Sequence, residues 1–364
     1  MLPTRLHTYC LVLVFCTLAS ACSNKTPEAD SPTPAASETA AASSAADTSA
    51  DSSADSSAMA SRGNEAEADP SNWWSALPRA AWASYEKIET QNPWFEVYRI
   101  MDGIYAIYEP GQFEEVISFL IVGKSQALLF DTGLGMDNIL SVVKGLTKKR
   151  ITVLNSHGHY DHIGGNYQFD NIIGRNTAFT QARAKGIAHD KVAEFASEDW
   201  IWKQHPPNFL PGSYHIKPYE FSRWIEEGQF IDLGEVSLEV VFAPGHAPDG
   251  IVLIDHQRRL MFTGDTFYPA PLYAHLEGSS FDDYAATANK LAAMVGAVDT
   301  LLTSHNVPTA SSDKLRQLNA AFQSIIAGIA PFEMTDDGRE YRFDGFSILT
   351  HDPPQDEVDV FKPL

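Results

Sequence analysis

Four side chains able to hold a metal ion fall within six residues of one segment, Asn155-Ser156-His157-Gly158-His159-Tyr160-Asp161-His162-Ile163-Gly164-Gly165. Imidazole and carboxylate together suit zinc and other borderline divalent cations. The segment follows an apolar run, Ile151–Asn155, that reads as a short buried strand. If its extended geometry persists, His157 and His159 point the same way, while Asp161 and His162 turn toward a second position. Gly158, Gly164 and Gly165 permit a tight turn and close backbone approach. A polar loop that merely contains histidines is the bland alternative; this density of ligand types argues against it.

Three later segments add ligand-type residues. Ala243-Pro244-Gly245-His246 follows Val236–Phe242, Thr263-Gly264-Asp265 follows Leu260–Thr263, and Ser304-His305-Asn306 follows Thr300–Thr303. Each places its residue just beyond a strand, where loops build sites on a rigid scaffold. One histidine after a strand is usually structural or on the surface. Three such residues behind the first cluster form a constellation.

The elements that must carry these residues alternate. Phe95–Ile100 and Ile104–Tyr108 read as a hairpin about Asp102-Gly103. Val116–Val122 and Ala127–Phe130 are strand-length apolar runs, the second ending in Asp131-Thr132-Gly133. Asp137–Leu146, Phe281–Val295 and Ser312–Ile326 have helical periodicity, and Ile251–Asp255 is a further strand. Strands interleaved with helices after an initial β run indicate an α/β protein whose helices cover sheets.

This pattern resembles the metallo-β-lactamase superfamily over roughly Phe95 to the C-terminus. The resemblance implies a four-layer αβ/βα sandwich. It also implies a first metal position at His157, His159 and His246, a second at Asp161, His162 and His305, and Asp265 bridging the two, as in the lactonase and glyoxalase II branches. Asp131 matches a residue that supports the site by orienting a ligand or fixing the loop. The cofactor implied is two divalent ions per chain, with zinc the expected identity. Cysteine-ligated β-lactamase classes are excluded, because all three cysteines (Cys10, Cys16 and Cys22) precede the domain.

The chemistry implied is attack on an ester, lactone or thioester carbonyl by hydroxide generated at the metals, whose binding lowers the pKa of water from about 16 toward roughly 7. Asp161 or Asp265 passes a proton to the leaving group; the sequence does not assign which. Tyr268, three residues after Asp265, matches a tyrosine that in acyl-homoserine-lactone lactonases contacts the substrate carbonyl. It reads equally as a half-buried aromatic of its loop. Competing functions are a cysteine-free β-lactamase, a mononuclear iron persulfide dioxygenase and a non-catalytic metal-binding protein. An inserted, helical and aromatic-rich stretch around 180–228 reads mainly as packing, with one or two rings at the pocket mouth. His189, His205, His215, His256, His275 and His351 lack motif context and are expected to be non-ligands, His275 least securely.

The net charge of −21 disfavours a nucleic-acid partner, since phosphate binding needs a basic surface. The partner expected is a small-molecule substrate, with no obligate protein partner evident. Residues 1–21 read as a signal peptide: Arg5, then the apolar Tyr9–Leu18, then small residues before Cys22. Cys22 after Ala19-Ser20-Ala21 resembles a bacterial lipobox, implying a lipid anchor in the cell envelope, facing the periplasm. Ser23 fits outer-membrane sorting in a Gram-negative host. Residues 22–70 are rich in Ser, Ala and acidic residues, with only Lys25 and Arg62 positive, and should form a disordered tether. Residues 71–364 are then the catalytic domain.

Overall fold

The computed structural model describes residues 73–351. The expectations placed on the signal peptide, Cys22 and the acidic tether lie outside the described residues.

Strands of this chain are apolar on both faces, and such strands need cover on both sides. In the first sheet eight strands lie in chain order: β1 (Glu86–Ile88), β2 (Glu96–Met101), β3 (Ile104–Tyr108), β4 (Ile117–Val122), β5 (Gln126–Phe130), β6 (Arg150–Leu154), β7 (Ile172–Arg175) and β8 (Arg223–Ile225). The second sheet has the order β15-β14-β12-β11-β10-β9. Its members are β9 (Phe230–Asp232), β10 (Ser237–Phe242), β11 (Ile251–Asp255), β12 (Leu260–Gly264), β14 (Thr300–Thr303) and β15 (Thr309–Ser311). A third sheet joins β13 (Pro271–Tyr273) to β18 (Phe346–Thr350), β17 (Gly338–Phe343) and β16 (Glu333–Thr335).

Period-two alternation sends neighbouring residues to different cores. On β5, Leu128 and Phe130 enter a core between the two large sheets, where they meet Leu253 and Phe262 of the second sheet. Ala127 and Leu129 face the opposite way, onto the helix Ile139–Leu146. On β11, Ile251 and Leu253 face the central core, while Val252 and Ile254 pack beneath the helices Phe281–Ala292 and Asp313–Ile326. Helix, sheet, sheet, helix is the four-layer sandwich expected.

Local chemistry sets the element ends. Gly103 takes φ +73° in the β2–β3 turn, at the expected Asp-Gly. Asn138 caps the first helix by accepting a hydrogen bond from the Ser141 amide, so the helix begins at Ile139 instead of Asp137. The stretch around 180–228 departs from expectation. It holds only short helices (Ala178–Arg183, His189–Val192) and single 3-10 turns before ending in edge strand β8. Gly186, at φ +88°, follows the first of these helices, and Pro206, Pro207, Pro211 and Pro218 bar a helix across the later half of the stretch.

The ligand-type residues sit at the carboxyl ends of β5, β6, β10, β12 and β14. β5 and β6 are parallel, as are β12 and β14, and β10 and β12 both run antiparallel to β11. Each sheet therefore delivers its chain ends to one edge.

Candidate metal centre

β6 ends at Leu154, so extended backbone does not carry His157 and His159 as the alternation argument supposed. The chain bends through His157 and Gly158 and enters a one-turn helix, Tyr160–Ile163, with His159 at its N-terminal boundary. The two rings consequently present different nitrogens: His157 Nε2 lies 2.9 Å from His159 Nδ1. His246 Nε2 lies 2.9 Å from the same Nδ1, closing a three-histidine cluster. The same helical turn aims Asp161 and His162 at a second cluster with His305. There His162 Nε2 is 3.2 Å from Asp161 Oδ2, and His305 Nε2 is 3.6 Å from it.

Asp265 spans both. Its Oδ2 lies 3.4 Å from His246 Nε2 and 4.0 Å from His157 Nε2, whereas its Oδ1 lies 3.0 Å from His305 Nε2 and 3.2 Å from His162 Nε2. It can do so because β12 ends in Gly264, at φ +50°, where a Cβ would come within 2.4 Å of the Ser156 Cβ. A side chain there would push the two sheets apart at the site.

The nitrogens turned away from the centre are fixed. His246 Nδ1 pairs with the Tyr273 carbonyl at 2.9 Å, His305 Nδ1 with the Glu114 carbonyl at 2.7 Å, and His162 Nδ1 with Asp131 Oδ2 at 2.9 Å. Carbonyl and carboxylate partners hold the proton on Nδ1 and leave Nε2 as the free donor atom. Asp131 thus occupies the orienting position expected of it.

Burial, reinforced by the crowding of neighbouring imidazoles, holds His157 and His159 well below the usual histidine range. Burial also opposes protonation of His162 and His305, but Asp161 and Asp265 outweigh it: His162 is held well above the usual range and His305 is pushed up to about 9. The two clusters therefore ask for the same thing by different routes. One offers neutral nitrogen donors; the other holds carboxylates that demand positive charge. Asp265 Oδ1 is moreover buried and accepts no hydrogen bond. Divalent cations fit this donor set in type, protonation state and satisfaction of the orphaned oxygen.

A cleft of about 430 Å³ opens over the site and meets an adjoining lobe of about 510 Å³ at Phe113, Glu114, Tyr268 and Tyr273. Tyr268 lines both, with its ring 4.7 Å from that of His305. Its phenol makes no hydrogen bond among the described residues, and burial holds it well above the usual tyrosine range, so it is a neutral donor. His275 lines the cleft without joining a ligand cluster. His189 instead pairs with the Tyr214 carbonyl, His215 with the Ser213 carbonyl and His256 with Glu239. Of the inserted aromatics, Tyr214 and Tyr219 are core residues, whereas Trp200 reaches the cleft.

Several supporting residues carry no motif. Asp249 accepts a hydrogen bond from the Gly158 amide and another from Thr180 Oγ1, holding the histidine loop, yet Pro248-Asp249-Gly250 reads as an ordinary turn. Tyr160 donates to Glu114 Oε1 at 2.6 Å. Buried Glu115 accepts from Arg79 and Tyr108.

Fold and site together define a class. The family model of the metallo-beta-lactamase superfamily matches residues 113–325, and the chain belongs to that superfamily. Among its relatives is the acyl-coenzyme A thioesterase MBLAC2 of Bos taurus, 28% identical over 230 residues, covering 58% of this chain and 81% of the relative. The hydroxyacylglutathione hydrolase GloC of Haemophilus influenzae is 25% identical over 160 residues, covering 43% of this chain and 68% of the relative. A solved double mutant of the sec-alkyl sulfatase PisA1 shares the fold at a TM-score of 0.50 and 17% identity, over 64% of this chain and 41% of the sulfatase.

Proposed function

We propose that the protein is a binuclear, zinc-dependent hydrolase of thioesters and esters, with lactones inside the same chemistry. The observation that carries this reading is Asp265, one carboxylate whose two oxygens face two separate ligand clusters. His157, His159 and His246 would hold one cation, Asp161, His162 and His305 the other, and Asp265 both. Bound there, the cations would lower the pKa of water toward roughly 7 and polarise the substrate carbonyl. The thioesterase and hydroxyacylglutathione hydrolase relatives support placing thioesters first.

The chain's own residues then have defined work. The Tyr268 phenol donates a hydrogen bond to the carbonyl oxygen as negative charge gathers there. Asp161, which lines the cleft, accepts the proton that water loses and returns it to the departing sulfur or oxygen. Water's oxygen bonds to the carbonyl carbon, the carbon–sulfur or carbon–oxygen bond breaks, and an acid leaves with a thiol or alcohol. No serine or cysteine nucleophile is required.

A metal-quantified panel of thioesters, aryl esters, homoserine lactones, β-lactams and a persulfide tests this. Two zinc ions per chain and thioester or ester turnover, abolished by chelation and restored by zinc, are expected. One iron per chain with oxygen-dependent persulfide consumption would overturn the reading, as would a zinc-loaded protein that turns over nothing.

A further inference from the structure

The walls of the cleft carry information about the leaving group. Outside the ligand set, Arg183 and Glu277 line it together, and they cancel: Arg183 Nη2 lies 3.2 Å from Glu277 Oε2, while its guanidinium stacks 4.5 Å from the Phe179 ring. In the adjoining lobe Arg79 is committed to Glu115 and to Asn306. Glu194 and Asp337 remain on the rim, both exposed, on opposite sides of the sequence. Glu194 belongs to the inserted stretch, and Asp337 to the β16–β17 turn of the third sheet.

Beside Glu194 stands an aromatic wall. Phe195 stacks on Tyr160 at 4.2 Å, Trp200 meets Phe195 edge-on at 4.9 Å, and Phe113 meets Trp200 edge-on at 4.8 Å. Phe113 is partly exposed and lines both lobes, so the wall runs from one into the other. Aromatic faces next to a carboxylate attract organic cations through the ring quadrupole. Phosphate groups find the opposite environment: each arginine lining the cleft faces a carboxylate already, and the rim charges without an ion-pair partner among the described residues are negative.

Building on the hydrolase reading, we propose that this cleft selects acyl thioesters and esters with a cationic or neutral leaving group, and discriminates against polyanionic, phosphate-bearing thiol carriers. The acyl carbonyl lies at the metal centre. The leaving group lies along the Phe113–Trp200–Phe195 wall beneath Glu194 and Asp337, and departs as a free thiol or alcohol when water adds.

One acyl group on three thiols tests it with the metal-loaded protein: butyryl-thiocholine (cationic), butyryl-N-acetylcysteamine (neutral) and butyryl-coenzyme A (polyanionic). At low ionic strength the expected kcat/KM for the cationic ester exceeds that for the coenzyme A ester by roughly tenfold or more, and the gap narrows with salt. Glu194→Lys and Asp337→Lys change exposed rim residues that hold no metal. Each should shrink that ratio several-fold, leave the neutral ester within twofold, and keep metal content and melting temperature. Equal turnover of neutral and coenzyme A esters, or ratios unmoved by both substitutions, would overturn the proposal while leaving the hydrolase reading intact. Absence of turnover on all three, the neutral ester included, would overturn both.

Discussion

Asp131 sits at φ +68°, a conformation that costs a non-glycine residue energy and persists where surroundings enforce it. Here one oxygen accepts the Ser156 amide at 2.6 Å and the other pairs with His162 Nδ1 at 2.9 Å, so the strained residue ties the histidine loop to the ring it must orient. Asp131→Asn keeps the shape but turns an amide nitrogen or a weaker acceptor toward one of those donors. We expect affinity for the second cation to fall about 10–100-fold, as measured by chelator competition; unchanged affinity would reduce Asp131 to a loop support. The Tyr268 phenol has no hydrogen-bond partner among the described residues. Tyr268→Phe retains the ring against His305 and removes one donor facing the cleft. The expected result is a kcat lower by roughly tenfold or more, with bound metal and melting temperature unchanged. Unchanged turnover with a lowered melting temperature would make the residue structural and would weaken the lactone branch of the reading.

At the scale of elements, the least anticipated contributor is the segment before β1, which lies outside the residues matched by the superfamily. Trp82 Nε1 donates to the Asn306 carbonyl at 2.9 Å, and Arg79 Nη2 donates to Asn306 Oδ1 at 3.0 Å. Arg79 also pairs with buried Glu115, whose neighbour Glu114 receives His305 Nδ1. These contacts clasp the loop after β14 and so fix a proposed ligand. Arg79→Met leaves buried Glu115 without its cation, holding only the Tyr108 hydroxyl; we expect a loss of about 1–3 kcal/mol in denaturant unfolding, less than for a fully buried pair because Arg79 is 41% exposed. Adding Glu115→Gln should recover most of it, and a double variant no more stable than the single one would refute the pairing argument. The sequence could not announce this clasp. Glu114-Glu115 in an acidic chain looks solvated, and its burial depends on an arginine 36 residues away. By contrast His157 to His162 was legible because its ligands are local and its neighbouring strands are apolar on both faces. β17 was missed for the converse reason: Gly-Arg-Glu-Tyr-Arg-Phe carries three charges and buries only its middle residues, so no apolar run marks it.

We propose that residues 22–70 tether the domain to the cell envelope through a lipid on Cys22. Deleting the tether should leave turnover of a soluble substrate within a few-fold, and intact mass of the mature protein should show added acyl groups; a mature chain starting at Cys22 without them would remove the anchor. Within the domain, the ligands divide between layers. His157, His159, Asp161 and His162 issue from the first sheet, and His246, Asp265 and His305 from the second. A cation held by both groups would therefore be a rivet through the seam of the sandwich, reinforcing layers that meet through apolar contact and through hydrogen bonds such as those from the Ile117 amide to the Ser304 carbonyl and from the Ile251 amide to the Ser156 carbonyl. Its binding energy would become folding energy, growing as the logarithm of free metal concentration. Stripped of metal, the molecule should loosen first along that seam, with amide hydrogen exchange quickening at the carboxyl ends of β6, β10 and β12 while the helix-covered faces stay protected.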